Sequence, residues 1–200
     1  MEVLRVTENN EKASIDRVVQ CLEQGGVIAY PTETVYGLGC DPTNLAAVER
    51  IYRIKNRAKD NAVLCLMPDL LTAEKYVVFN RGARSLAQAH WPGALTLVLP
   101  LKIEWFTVFQ AKTLGVRVSS HPLTSRLLRA FNQPLVSTSA NLSGQAPALR
   151  PDEVIFYFND KVEQPDLLLA GEILGQGLPS TVVDVTTEEP QVLRQGAIFI

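Results

Sequence analysis

Short apolar runs, each of strand length, alternate along the whole chain with stretches whose apolar residues recur at helical spacing. Few architectures accept that alternation, and it predicts an α/β fold on a mixed sheet. Ile15, Val18, Val19 and Leu22 mark a first helix, with Ser14 as its expected N-cap and Gly25-Gly26 as its stop. Residues 27–30 read as a buried strand closed by Pro31. Asp41-Pro42 then predicts a helix start, a capping acid before proline. Leu45, Val48, Ile51 and Tyr52 give that helix its apolar face. Residues 63–67 read as a strand, followed by a helical stretch to about Ala89 and a turn at Trp91-Pro92-Gly93. Strands are expected over 94–99 and 116–119. A helix is expected over 122–131, with Leu123, Leu127 and Leu128 facing inward. The run 135–138 leads into the polar loop Ser139-Ala140-Asn141, and 167–170, 181–185 and 191–194 read as further strands. Residues 147–164 carry the least pattern and read as a surface excursion. With 200 residues, no repeat and no linker, the chain is expected to form a single domain, 1–200.

Composition excludes several classes. The formal charge of −2 disfavours a generic nucleic-acid coat, although a local basic groove is compatible with it. Cys21, Cys40 and Cys65 form no CxxC pair, so neither a disulfide framework nor a zinc site is expected; they read as buried reduced thiols. No run approaches the roughly 18 apolar residues of a membrane span. The N-terminal segment carries Glu2, Glu8 and Glu11 and has no apolar signal core, so a cytoplasmic protein is expected.

Polar residues collect just after strands, where open α/β sheets place ligands. Residues 31–41 (PTETVYGLGCD) set two hydroxyls and a carboxylate after a strand, then two glycines; alone, the segment also reads as a turn with a capping signal. Arg50, Arg53, Lys55, Arg57 and Lys59 read on spacing as a solvated face, unless Lys55 and Arg57, near the helix end, converge in a loop on a polyphosphate. Residues 137–144 (STSANLSG) follow a buried strand with small hydroxyl and amide side chains, which could hold a ligand or simply cap the loop. Thr113, Arg117, Ser180 and Arg194 lie in or beside strands. The chain has no P-loop, no complete dinucleotide fingerprint and no G-x-S-x-G elbow. His90 reads as structural and His121 as a cap before Pro122; two histidines leave little for a metal centre.

Taken in order, PTETVYGLGCD, Lys55-Asn56-Arg57, WPGALTLVL (91–99), GVR (115–117), STSANLSG, STVVD (180–184) and LRQGAI (193–198) resemble the YrdC-like family of threonylcarbamoyl-adenylate synthases. Each motif is weak alone; the ordered set is specific and spans nearly the whole chain. The resemblance implies a YrdC-like fold: a twisted open mixed sheet with flanking helices and a large, positively lined concave groove. It implies the formation of threonylcarbamoyl-AMP and pyrophosphate from L-threonine, bicarbonate and ATP, with Mg²⁺ carried by the phosphates. Downstream threonylcarbamoyl-transfer enzymes would then modify tRNA. By position, Thr32, Arg117, Ser137 and Ser180 match threonine-contacting residues. Lys55, Arg57, Asn61, Thr113, Ser139, Asn141 and Arg194 match ATP-side residues, with Lys55 and Arg57 as the catalytic pair. The chain looks like the family's short form, without a second domain.

Departures from the family pattern are Ala58 and Ala62, where prolines are common, and Leu66, where some members carry a threonine-contacting histidine. They imply a less stiff loop. They also leave open a paralogue with a different carbamoyl- or acyl-adenylate substrate; a separate alternative is a non-catalytic module binding double-stranded RNA in the same groove, against which the acidic balance weighs. A carbamoyl-adenylate former of the hydrogenase-maturation type is disfavoured, because the chain lacks the cysteine-rich zinc motifs and acylphosphatase-like region of those proteins.

Overall fold

The computed structural model describes residues 1–57, 64–102, 112–172 and 177–200. Among these residues the strands are β1 (Glu2–Arg5), β2 (Ile28–Tyr30), β3 (Gly37–Gly39), β4 (Leu64–Leu66), β5 (Leu95–Pro100), β6 (Thr113–Arg117), β7 (Leu135–Ser139), β8 (Leu167–Ala170), β9 (Thr181–Asp184) and β10 (Gln191–Arg194). The helices are α1 (Glu11–Glu23), α2 (Leu45–Lys55), α3 (Leu70–Tyr76), α4 (Arg81–His90), α5 (Pro122–Phe131) and α6 (Pro151–Phe158). The strands form one ten-stranded sheet in the order β1-β8-β2-β3-β7-β4-β6-β5-β9-β10. Pairing is mixed: β4 runs parallel to β6 and antiparallel to β7, while β3 is antiparallel to both of its neighbours.

Helices cover both faces, as strand alternation requires. Ile28, Tyr30, Leu66, Leu135, Leu167 and Leu169 point to the side of α1 and α5, meeting Ile15, Val18, Leu22, Leu123, Leu127 and Phe131. Their neighbours Ala29, Cys65, Val136 and Leu168 point the other way, into a core shared with Val48 and Ile51 of α2 and Val154 and Phe158 of α6. The three cysteines are free and buried. Among the described residues no helix is long and apolar enough to cross a membrane.

Two helix ends position the site. Helix α1 closes as the glycine pair predicts: Gly26 N–H donates to Cys21 O (2.8 Å) and Gly25 N–H to Leu22 O (2.9 Å), with Gly25 at φ +79°. Helix α2 closes the same way without glycine. Arg57 N–H reaches Tyr52 O and Asn56 N–H reaches Arg53 O, both at 3.0 Å, with Asn56 left-handed at φ 49°. Asparagine tolerates that conformation better than other side chains. Lys55, one turn after Ile51 on the buried face of α2, points inward, and the reversal at Asn56 carries the chain on to Arg57.

Several expectations are corrected. Asn10, not Ser14, precedes α1; Ser14 lies inside the helix and is buried. Asp41 does not cap α2. Its carboxylate accepts from Thr43 N and Oγ1 (2.7 Å each), one turn upstream, and Asn44 caps the helix by accepting from Ala47 N at 3.1 Å. Leu45, placed on the apolar face, is 54% exposed. The helical stretch before Ala89 divides at Val77 into α3 and α4, each with its own side-chain cap, Asp69 and Asn80. Residues 147–164 are not only a surface excursion, since they contain α6.

Candidate active site

The polar ends of β2, β6, β7, β9 and β10 meet the end of α2 around a cavity of about 260 Å³. Its lining includes Thr32, Thr34, Arg57, Arg117, Ser137, Thr138, Ser139, Ser180 and Arg194. Segments 162 residues apart, from Thr32 to Arg194, therefore share one wall.

Three guanidinium groups converge here with unlike surroundings. Arg117, at the end of β6, is buried. Its Nη1 donates to Thr34 Oγ1 at 3.2 Å and lies 3.7 Å from Glu33 Oε1, a carboxylate held on its other oxygen by Ser119 Oγ. Among the described residues, Arg117 Nε and Glu33 Oε1 are both buried without a hydrogen-bond partner. A guanidinium that keeps a buried donor unpaired is costly unless a ligand completes it. Arg57 Nη1 donates to Thr138 Oγ1 at 3.1 Å. Arg194 donates to Ser180 O from Nη2 (2.8 Å) and Nε (3.2 Å), and to Ser180 Oγ from Nη2 (3.1 Å). Burial, then the Arg117 guanidinium, lowers the Arg194 pKa from its ordinary value. With Glu33 as the buried counter-charge to Arg117, the cavity retains excess positive charge.

The hydroxyls have different duties. Thr32 Oγ1 shapes the turn after β2, accepting from Thr34 N (3.1 Å) and Val35 N (3.2 Å) and donating to Val35 O (2.6 Å). Ser137 Oγ accepts from Tyr30 Oη at 2.7 Å, and Ser180 Oγ lies 2.9 Å from Thr96 Oγ1. Tyr30 and Thr96 are buried members of the sheet, and nothing in the sequence pattern separates them from ordinary core residues.

Lys55 and Asn141 stand behind the lining. Lys55 is 2% exposed. Its ammonium donates to Ser139 O, to Asn141 O (2.8 Å) and to Asn141 Oδ1 (2.9 Å). Ser139 Oγ also donates to Asn141 Oδ1 at 2.6 Å. Lys55 thus clasps the loop after β7. Burial chiefly, with Arg57 adding to it, pulls its pKa down to about 7. Thr113 sits exposed at the far end of β6 from Arg117, away from the cavity lining. Asn61, Ala58 and Ala62 lie outside the described residues. Leu66 packs into the core between the sheet and α1/α5. His121 caps α5, its Nδ1 accepting from Thr124 N at 3.4 Å, as its place before Pro122 predicts.

Comparison with known proteins agrees with this geometry. A family model for Sua5, YciO and YrdC proteins, described as telomere recombination, matches residues 20–196. The threonylcarbamoyl-AMP synthase of Vibrio vulnificus is 38% identical over 189 residues, which is 92% of this chain and 99% of the relative. The crystal structure of P. abyssi Sua5 complexed with L-threonine superposes with a TM-score of 0.89 at 30% identity; the match takes in 98% of this chain but 58% of Sua5, so the chain spans somewhat more than half of that protein. E. coli YciO gives a TM-score of 0.83 at 31% identity, covering 98% of this chain and 94% of YciO. The ordered motifs, the open mixed sheet flanked by helices and the matched span lead to one assignment: this chain belongs to the Sua5/YciO/YrdC family.

Proposed function

We propose that the protein is a threonylcarbamoyl-AMP synthase, forming threonylcarbamoyl-AMP and pyrophosphate from L-threonine, bicarbonate and ATP. The observation that carries the reading is the convergence of Arg57, Arg117 and Arg194 on one cavity beside the Ser137 and Ser180 hydroxyls. Guanidiniums suit a carboxylate and a triphosphate, and small hydroxyls suit a hydroxylated amino acid. The Vibrio vulnificus relative bears this activity as its name, and Sua5 was crystallised with L-threonine.

Arg117 is the natural partner for the threonine carboxylate, because its buried Nε has no acceptor among the described residues. The threonine amine and bicarbonate give a carbamate and water. A carbamate oxygen then attacks the α-phosphorus, the bond to the β-phosphate bridging oxygen breaks, and pyrophosphate leaves. Such a displacement needs alignment and charge neutralisation more than a strong base. Arg57 and Arg194 line the cavity and supply that charge. Lys55 is given a different task from Arg57: from behind the lining it holds Asn141 and the backbone of Ser139, whose side chain belongs to the cavity wall. Mg²⁺ neutralises phosphate charge in such reactions and would arrive on the triphosphate; among the described residues no group of three His, Cys or acidic side chains could hold an ion. The product would pass to threonylcarbamoyl-transfer enzymes acting on tRNA in the cytoplasm.

Mass spectrometry of the purified chain incubated with ATP, bicarbonate and L-threonine tests the proposal. Threonylcarbamoyl-AMP should appear only when all three are present. Arg57→Ala should slow its formation by about 10²-fold. Adenylate formation indifferent to threonine, or an unaltered rate in the variant, refutes the corresponding assignment.

A further inference from the structure

We infer that Tyr30, which lies wholly outside the cavity, sets the affinity for threonine by fixing the direction in which the Ser137 hydroxyl points. The inference rests on the functional reading above, which makes this cavity an amino-acid site, and extends it to a residue behind the wall.

Tyr30 ends β2 and is fully buried on the α1/α5 side of the sheet. Its phenol donates to Ser137 Oγ at 2.7 Å, joining residues 107 apart in sequence. Burial raises the Tyr30 pKa well above its ordinary value, so the phenol keeps its proton. A phenol has one hydrogen, and here it occupies a lone pair of the serine oxygen. The serine hydrogen must then turn elsewhere. Among the described residues Ser137 Oγ has no second partner, and Ser137 lines the cavity. The wall therefore presents the serine hydrogen to the ligand, where it is matched by an acceptor such as a carboxylate or side-chain oxygen of threonine, while one lone pair of the serine oxygen stays open. Without the phenol, no inner donor holds the serine oxygen, and its hydrogen is no longer kept on the cavity side.

The ring cannot drift from this post. A Cβ on Gly37 would lie 3.0 Å from Tyr30 Cζ, and one on Gly39 would lie 2.9 Å from Tyr30 Cε1. Strand β3 thus lies directly on the phenol. Ser180 offers a contrast. Its oxygen meets both Thr96 and an Arg194 donor, and either hydroxyl of the Thr96–Ser180 pair can donate, so no single group dictates its orientation.

The test is steady-state pyrophosphate release by the full chain, varying threonine and ATP separately, for the unmodified protein, Tyr30→Phe, Ser137→Ala and the double variant. Tyr30→Phe should raise the threonine KM by about five- to tenfold, the worth of one hydrogen bond, while the ATP KM and kcat shift by less than about twofold. In the Ser137→Ala background it should add nothing, because the hydroxyl it orients is gone. The double variant removes both partners at nearly constant shape, so it folds even where Tyr30→Phe alone is weakened, and thermal melts check this. A threonine KM unmoved by Tyr30→Phe overturns the inference alone. So does an equal rise in the ATP KM, or an effect that persists undiminished without Ser137. Absence of threonine-dependent release from the unmodified chain overturns the functional reading and the inference together.

Discussion

At the scale of single residues, Lys55 has two pH dependences of opposite sign. Its folded pKa is lowered to about 7 from an ordinary 10.5, chiefly by burial. The three oxygens that accept from it favour the charged form, so its midpoint lies at or above that value. Between the folded and unfolded pKa the unfolded chain binds the extra proton, so this residue adds stability as pH rises through the window. The neutral amine, however, has only two hydrogens for three acceptors. Loss of the proton releases one hold on Ser139 or Asn141, and product formation should decline with an inflection at or slightly above pH 7. Lys55→Met should remove both slopes. It leaves buried oxygens unpaired, so the rate should fall by about tenfold or more and the melting temperature by several degrees. A pH–rate profile beside melting curves at matched pH separates the two effects. A rate that still declines at the same pH in Lys55→Met would assign the limb to another group.

Secondary-structure elements were legible where periodicity was clean, and much less so where it was not. Helix α5 matches its predicted bounds because Pro122 opens it and Leu123, Leu127 and Leu128 keep a strict inward spacing. Strand β3 escaped prediction because Gly-Leu-Gly has almost no side chains to alternate, and its glycines read as a turn. Their reason is steric: a Cβ on Gly39 would lie 2.6 Å from Val136 O. Strand β1 escaped as a mostly exposed edge strand, and α6 because Val154, Ile155, Phe156, Tyr157 and Phe158 are apolar on every side. The site motifs were readable as a set, yet the inward turn of Lys55 was not. Lys55 continues the buried face of Ile51 and Tyr52, but among Arg50, Arg53 and Arg57 its charge reads as part of a solvated face. The β3 packing gives a direct prediction at this scale. Gly39→Ala should destabilise the fold by about 1–3 kcal/mol through overpacking against backbone, whereas Gly82→Ala, whose Cβ would meet only an Asn80 side-chain oxygen at 3.6 Å, should not. Urea denaturation of both variants decides it, and equal midpoints would refute the packing role.

For the whole molecule, the cavity gathers segments from the centre of the sheet, the end of α2 and an edge strand. Thr32 follows β2 and Arg57 follows α2; Ser137 lies at the sheet centre, and Arg194 on edge strand β10, exposed along its length although the Arg194 guanidinium is partly buried against Ser180. Arg194 reaches inward chiefly through Ser180. A ligand spanning Arg57 and Arg194 would therefore link an edge to the centre, and by mass action its binding must appear as stability. At about a hundred times its dissociation constant, ATP should add about 2.7 kcal/mol to unfolding. Arg194→Ala removes one end of that span but little apolar burial. Without nucleotide it should melt within a degree or two of the unmodified chain, and with ATP it should lose most of the nucleotide-induced shift. Threonine alone should still stabilise the variant through Arg117, which lies on another strand. Thermal melts with each ligand, singly and together, measure this directly. A variant that keeps the full ATP shift would mean that β10 stands apart from the nucleotide and that the triphosphate is gripped from the α2 side alone.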